Sequence, residues 1–126
     1  MSAASILTND IIAYLYEQGS FCWRQNSTGV YDQRRGLYRP GSKKGVSDIL
    51  GIYSERGQGK LLHGIFVAIE VKIGKDRLSD EQTGFLANVT HYGGIAIVAK
   101  NFDNFKKDWK SAIEQLVVGK HIDPWN

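Results

Sequence analysis

The chain has a single cysteine, Cys22, among 126 residues, so no internal disulfide is available to it. That usage points to a reducing, intracellular setting, and Cys22 itself reads as buried filler in an apolar stretch. One cysteine and three histidines, none of them paired at zinc-ligand spacing, give no zinc-site pattern. His63, His91 and His121 form no metal-ligand pair, and each reads as a structural or surface residue. No serine sits in a nucleophile elbow, which removes serine hydrolase chemistry, and Cys22 lacks the surroundings of a nucleophilic thiol. No apolar run approaches the roughly 18 residues of a membrane-spanning helix. No basic stretch followed by a greasy one opens the chain, so a soluble, unexported protein with no membrane partner is expected. Low-complexity tracts and internal repeats are also missing. A chain of this length suits one domain, residues 1–126, and buries a core of its own without staples.

What is present begins with an apolar stripe, Ile6, Leu7, Ile11, Ile12 and Leu15, that predicts a helix over Ser5 to Gln18, stopped by Gly19. A short strand over Ser20 to Gln25 follows. Asn26 to Lys44, with Gly29, Gly36, Pro40 and Gly41, reads as a long excursion, and such loops in compact domains usually carry function. Two strands are predicted over Val46 to Tyr53 and Leu61 to Ile73, joined by the polar turn Tyr53 to Lys60 into an antiparallel hairpin. Ser79-Asp-Glu-Gln82 has the form of a capping box and opens a second helix that runs to about His91. Gly94 to Ala99 reads as a buried strand. Phe102, Phe105, Trp109, Ile113 and Leu116 recur at three and four, as in a final helix packed on a core.

Three charged residues interrupt this apolar pattern. On the second hairpin strand Ile65, Val67, Ile69, Val71 and Ile73 share one face, while Phe66, Ala68, Glu70 and Lys72 share the other. Both faces begin apolar, as in a covered central strand, so Glu70 and Lys72 stand at the mouth of a core. Asp48 interrupts the face of Val46, Leu50 and Ile52 on the neighbouring strand. Glu70 and Lys72 alone are compatible with an ordinary surface ion pair, and Asp48 with a turn residue. The hairpin changes the weighing, because it brings Asp48 beside Glu70. Two carboxylates about 4 Å apart repel by roughly 4 kcal/mol at an effective dielectric of about 20. A hard divalent cation held by their oxygens removes that repulsion, with Lys72 adding a fixed charge alongside.

The net charge is only +3, but its distribution is uneven. Arg24, Arg34, Arg35, Arg39, Lys43 and Lys44 stand against one acid, Asp32, and alternate with Trp23, Tyr31 and Tyr38. The stretch is either a solvated loop or a phosphate-contacting surface. It runs directly into Asp48, which favours the nucleic-acid reading.

The order helix, three strands, helix, strand, helix, with an aspartate opening one strand and Glu-x-Lys on the next, resembles the PD-(D/E)XK nuclease superfamily. The wording is similar to its virus-type replication-repair nuclease branch, the VRR-NUC domain. The match rests on Arg24-Gln-Asn26, Lys44-Gly-Val-Ser-Asp48, Glu70-Val-Lys72, and Gly74 with Leu78-Ser-Asp-Glu-Gln82, and covers roughly residues 5 to 100. The resemblance implies an α/β (α+β) restriction-endonuclease-like core, order αβββαβ with a C-terminal helix, its mixed central sheet flanked by helices. It implies that Asp48 and Glu70 bind Mg2+ or Mn2+, that the carbonyl of Val71 adds a ligand, and that Lys72 positions or activates water. Gln82 matches a family position as well as a capping role. It further implies a homodimer that cuts branched DNA such as Holliday junctions or flaps, in repair or recombination, in the cytoplasm of a bacterial or phage-infected cell. Two departures stand out. Ser47 replaces a proline common before this aspartate, and Ile6 or Thr8 occupies the position of a first-helix glutamate, with Asp10 and Glu17 out of register. The missing glutamate keeps a non-catalytic nucleic-acid-binding module open as an alternative. A restriction-type duplex nuclease is a second one, although base-reading side chains are not identifiable.

Overall fold

The computed structural model describes residues 1–25, 30–39, 43–54 and 63–117. Helix α1 (Ala3–Glu17) starts where the Ser2 hydroxyl accepts from the Ser5 amide, and it buries Leu7, Ile11 and Leu15 on one stripe. Strand β1 (Ser20–Arg24) follows, then the short strands β2 (Val30–Asp32) and β3 (Leu37–Arg39). Strands β4 (Ile49–Ser54) and β5 (Gly64–Val71) come next. Helix α2 (Asp80–His91), strand β6 (Ile95–Ala99) and helix α3 (Phe102–Val117) complete the described chain.

β1, β4, β5 and β6 lie side by side in that order. The β1–β4 and β4–β5 pairs are antiparallel and β5–β6 is parallel, so the sheet is mixed, with α2 as the crossover between its parallel strands. The chain is thus a mixed α+β fold, a four-stranded mixed sheet with helices, as expected at that coarser level. One expectation is corrected: the excursion over Asn26 to Lys44 is not wholly irregular, because β2 and β3 pair into a small antiparallel hairpin, Val30 opposite Arg39 and Asp32 opposite Leu37. Its turn closes through Gly36, at φ +63. The fourth strand also begins at Ile49 rather than Val46, which leaves Asp48 just ahead of it. The polar turn at 55–60, with the expected strand start at Leu61, lies outside the described residues.

Strand parity divides the sheet into two faces. Cys22, Ile49, Val67, Ile69, Val71, Ile95, Ile97 and Ala99 form a core with the buried stripe of α1 and with Phe105 and Trp109 of α3. Tyr53 meets Trp109 edge-on at 5.6 Å, and Tyr14 meets Phe105 at 6.1 Å. Burial pushes the Cys22 thiol up to about 11, so it stays protonated, as a filler should. The second face carries Ala68 and Glu70, and α2 packs there against β5 and β6. Helices on both faces bury β5, and the charged end of that strand is enclosed with it.

Candidate active site

Register places the carboxylates. Ile49 pairs with Ile69, so Asp48 lies opposite Glu70 across the antiparallel pair. One Asp48 oxygen, Oδ2, accepts from the Val71 amide at 2.8 Å, which ties the chain entering β4 to the end of β5. The Asp48 carbonyl accepts from the Gln25 amide at 2.7 Å, so the end of β1 joins the same corner. Gly45, at φ +80, lets this entry segment lie on the first turn of α2; a Cβ there would overlap the Glu81 carbonyl.

Glu70 is 2% exposed. Its Oε1 accepts from Gln82 Nε2 at 3.1 Å and lies 4.0 Å from Lys72 Nζ. Its Oε2 is buried without a hydrogen-bond partner, and so is the Ser47 hydroxyl. Burial pushes the Glu70 carboxyl up to about 8, Asp48 adds to the rise, and Lys72 and the nearby Ser47 oppose it. A buried carboxylate facing another carboxylate, with an orphaned oxygen, is the donor set of a hard cation. Magnesium commonly takes one or two carboxylates and completes its shell with water and substrate phosphate. The residues present therefore fit such an ion. Among the described residues no group of three or more His, Cys, Asp or Glu converges on a metal position.

Gln82 does two things at once. Its amide oxygen accepts from the Ser79 amide at 2.9 Å while the Ser79 hydroxyl accepts from the Gln82 amide at 3.1 Å, closing the capping box. Its amide nitrogen is the donor to Glu70. Capping and contact with the carboxylate thus coexist in one side chain.

The remaining candidates are dispersed. Val71 is buried and reaches Asp48 through its amide. Arg24 turns toward α1, its guanidinium 3.5 Å from the Ser5 hydroxyl. Arg34 and Arg35 are exposed in the turn between β2 and β3, Lys43 and Lys44 are exposed ahead of Gly45, and Arg39 ends β3. In α1 no acid replaces the expected glutamate: Asp10 and Glu17 are exposed, Ile6 is half exposed, and the buried Thr8 hydroxyl donates to Ala4 at 2.8 Å. His63 and His91 are exposed, and His121 lies outside the described residues. Ser47, noted in the sequence only as a departure next to Asp48, is fully buried at this corner beside Glu70.

The VRR-NUC domain model matches residues 31–103, more than half of the chain and a span that holds Asp48, Glu70, Lys72 and Gln82. No curated protein and no solved structure matches at a significant level. Among the described residues no helix is long and apolar enough to cross a membrane. Membership carries a nuclease-type hydrolytic function with DNA as substrate. The matched span and the corner it encloses lead to one assignment: the chain belongs to the VRR-NUC domain family.

Proposed function

We propose that this protein is a metal-dependent, structure-selective DNA endonuclease that hydrolyses phosphodiester bonds in branched DNA such as four-way junctions or flaps. The observation that carries the reading is the buried Glu70 with its orphaned Oε2 opposite Asp48 and beside Lys72. Asp48 and Glu70 hold Mg2+ or Mn2+, with the Val71 carbonyl as a further ligand. When bound, the ion supplies Lewis-acid charge at the phosphoryl oxygens and helps activate water. Lys72 places a fixed positive charge next to the scissile phosphate and orients the attacking water. Gln82 holds the Glu70 carboxylate in position through its nitrogen. The cations from Arg34 to Lys44 neutralise flanking phosphates, with Arg24 adding a further contact at the edge. A homodimer suits this task, since two sites related by a twofold axis nick two strands symmetrically.

A labelled four-way junction, a flap and a linear duplex, incubated with magnesium, with manganese and with chelator, test the reading. Cleavage of the branched substrates in metal alone is expected, and Asp48→Asn and Glu70→Gln should abolish it while sparing DNA binding. Equal cutting by either variant would refute the assignment. The lack of an acid at Ile6 or Thr8, where the family places a first-helix glutamate, favours a second reading, a binding module without catalysis, and metal-independent binding with no cleavage of any substrate would establish it.

A further inference from the structure

The sheet face that carries Asp48 and Glu70 is only half roofed. α2 packs over β5 and β6, while on the β1 and β4 side the same face carries exposed side chains and no described helix packs over it. Phe21 of β1 lies opposite Ile52 of β4, which lies opposite Phe66 of β5. With Trp23 these side chains are between 37% and 60% exposed, a continuous apolar row on the surface. The Phe21 and Trp23 rings meet at 5.5 Å, and the Trp23 indole N–H donates to Gln25 Oε1 at 3.0 Å, which fixes its ring. Beside Phe66 the row opens into a cavity of about 260 Å³ walled by Phe85 and Tyr92, with Lys43 at its edge.

This strip leads straight into the carboxylate corner. Asp48 and Ile52 are four residues apart, about 13 Å along the strand, and β1 to β5 spans two strand spacings, about 10 Å. A DNA strand with its scissile phosphate at the corner must leave in some direction. A duplex presents phosphates and sugars outward and hides the faces of its bases, so it has no use for an aromatic floor with a single lysine. Unpaired bases do have exposed faces, and they stack on aromatic side chains while a nearby cation meets the backbone. A second copy of the chain laid flat on the strip would close this path out of the corner.

We infer that the open strip of Phe21, Trp23, Ile52 and Phe66, with Lys43 and Tyr92 at its side, binds the unpaired nucleotides of the DNA substrate next to the scissile phosphate. The assignment rests on the nuclease reading above and gives it a substrate feature, a single-stranded segment adjoining the cut.

The test uses the full chain and three DNAs: a blunt duplex, the duplex with a short single-stranded overhang, and the overhang with abasic sites in place of its first bases. Stacking of one base is worth about 1–3 kcal/mol, a factor of roughly 5 to 150, so the parent should bind the normal overhang at least about fivefold more tightly than the abasic one. Trp23→Ala and Phe66→Ala should bring that ratio to about one, with blunt-duplex binding unchanged, and Trp23→Phe should restore most of it. Equal binding of the normal and abasic overhangs by the parent would overturn the inference. So would a loss of preference in the variants that sedimentation traces to dissociation of a dimer, since the strip would then be a face between copies. Cleavage in magnesium with no abasic penalty refutes the strip and leaves the nuclease reading intact. Base-dependent binding with no cleavage refutes the nuclease reading and leaves the strip.

Discussion

Replacing Glu70 by glutamine should make the metal-free protein more stable at pH 8 and leave it unchanged near pH 4. The carboxyl is buried, one oxygen has no partner, and Asp48 faces it, so its proton is held from the ordinary 4.5 up to about 8. The folded state then binds a proton that the unfolded state has released, and stability must fall as pH rises through that window. Below the unfolded value both states are protonated and the contribution is fully present; above the folded value it is gone. Each pH unit within the window is worth about 1.4 kcal/mol, so the full loss amounts to roughly 5 kcal/mol. A glutamine side chain has no proton to lose and keeps the shape of the glutamate. Urea unfolding of parent and Glu70→Gln in chelator, from pH 4 to pH 9, gives the difference for the Glu70–Asp48 corner and cancels the titrating groups remote from it. The curves should meet near pH 4 and separate by several kcal/mol at pH 8. On the proposed reading the ionised form holds magnesium, so an excess of about 100 times its dissociation constant should restore roughly 2.7 kcal/mol to the parent alone. Parallel curves across the whole pH range would refute the buried-carboxylate argument.

Gln82→Glu keeps an oxygen for the capping box but sets a third carboxyl group against Glu70, so denaturant stability in chelator should fall at about pH 9, where Glu70 is ionised, and recover in magnesium; Gln82→Ala should lose about 1 kcal/mol with or without metal. Gly45→Ala combines a positive φ with a Cβ directed into the Glu81 carbonyl, and urea unfolding should show a loss of about 1–3 kcal/mol or more. Trp109→Ala empties the centre of the α3 packing and should cost about 3–5 kcal/mol by the same measurement, with any cleavage lost only through unfolding.

Much of the carboxylate corner was legible because strand parity is a strict code. Glu70 and Lys72 fall on the Phe66 face by counting, and an antiparallel hairpin has to bring Asp48 near Glu70. The capping box was legible for a related reason, since its spacing is local. The β2–β3 hairpin was not, because three residues are too few to show alternation, although Gly36 after Arg34 and Arg35 marked a turn. The open strip was hidden for another reason: Phe21, Ile52 and Phe66 alternate as core residues do, and only the placement of α2 decides which half of the face stays bare. The orphaned Ser47 hydroxyl likewise depends on how the entry segment settles against Glu70.

The divided amide of Gln82 makes helix nucleation and carboxylate placement a single event. When the first turn of α2 frays, the donor to Glu70 departs with it, and when the turn forms, Glu70 is oriented in the same step. Amide hydrogen exchange at Ser79 and Gln82 is therefore a clock for the site itself: the rate at which these two protons reach solvent measures how often the corner comes apart, in a protein that has cut nothing.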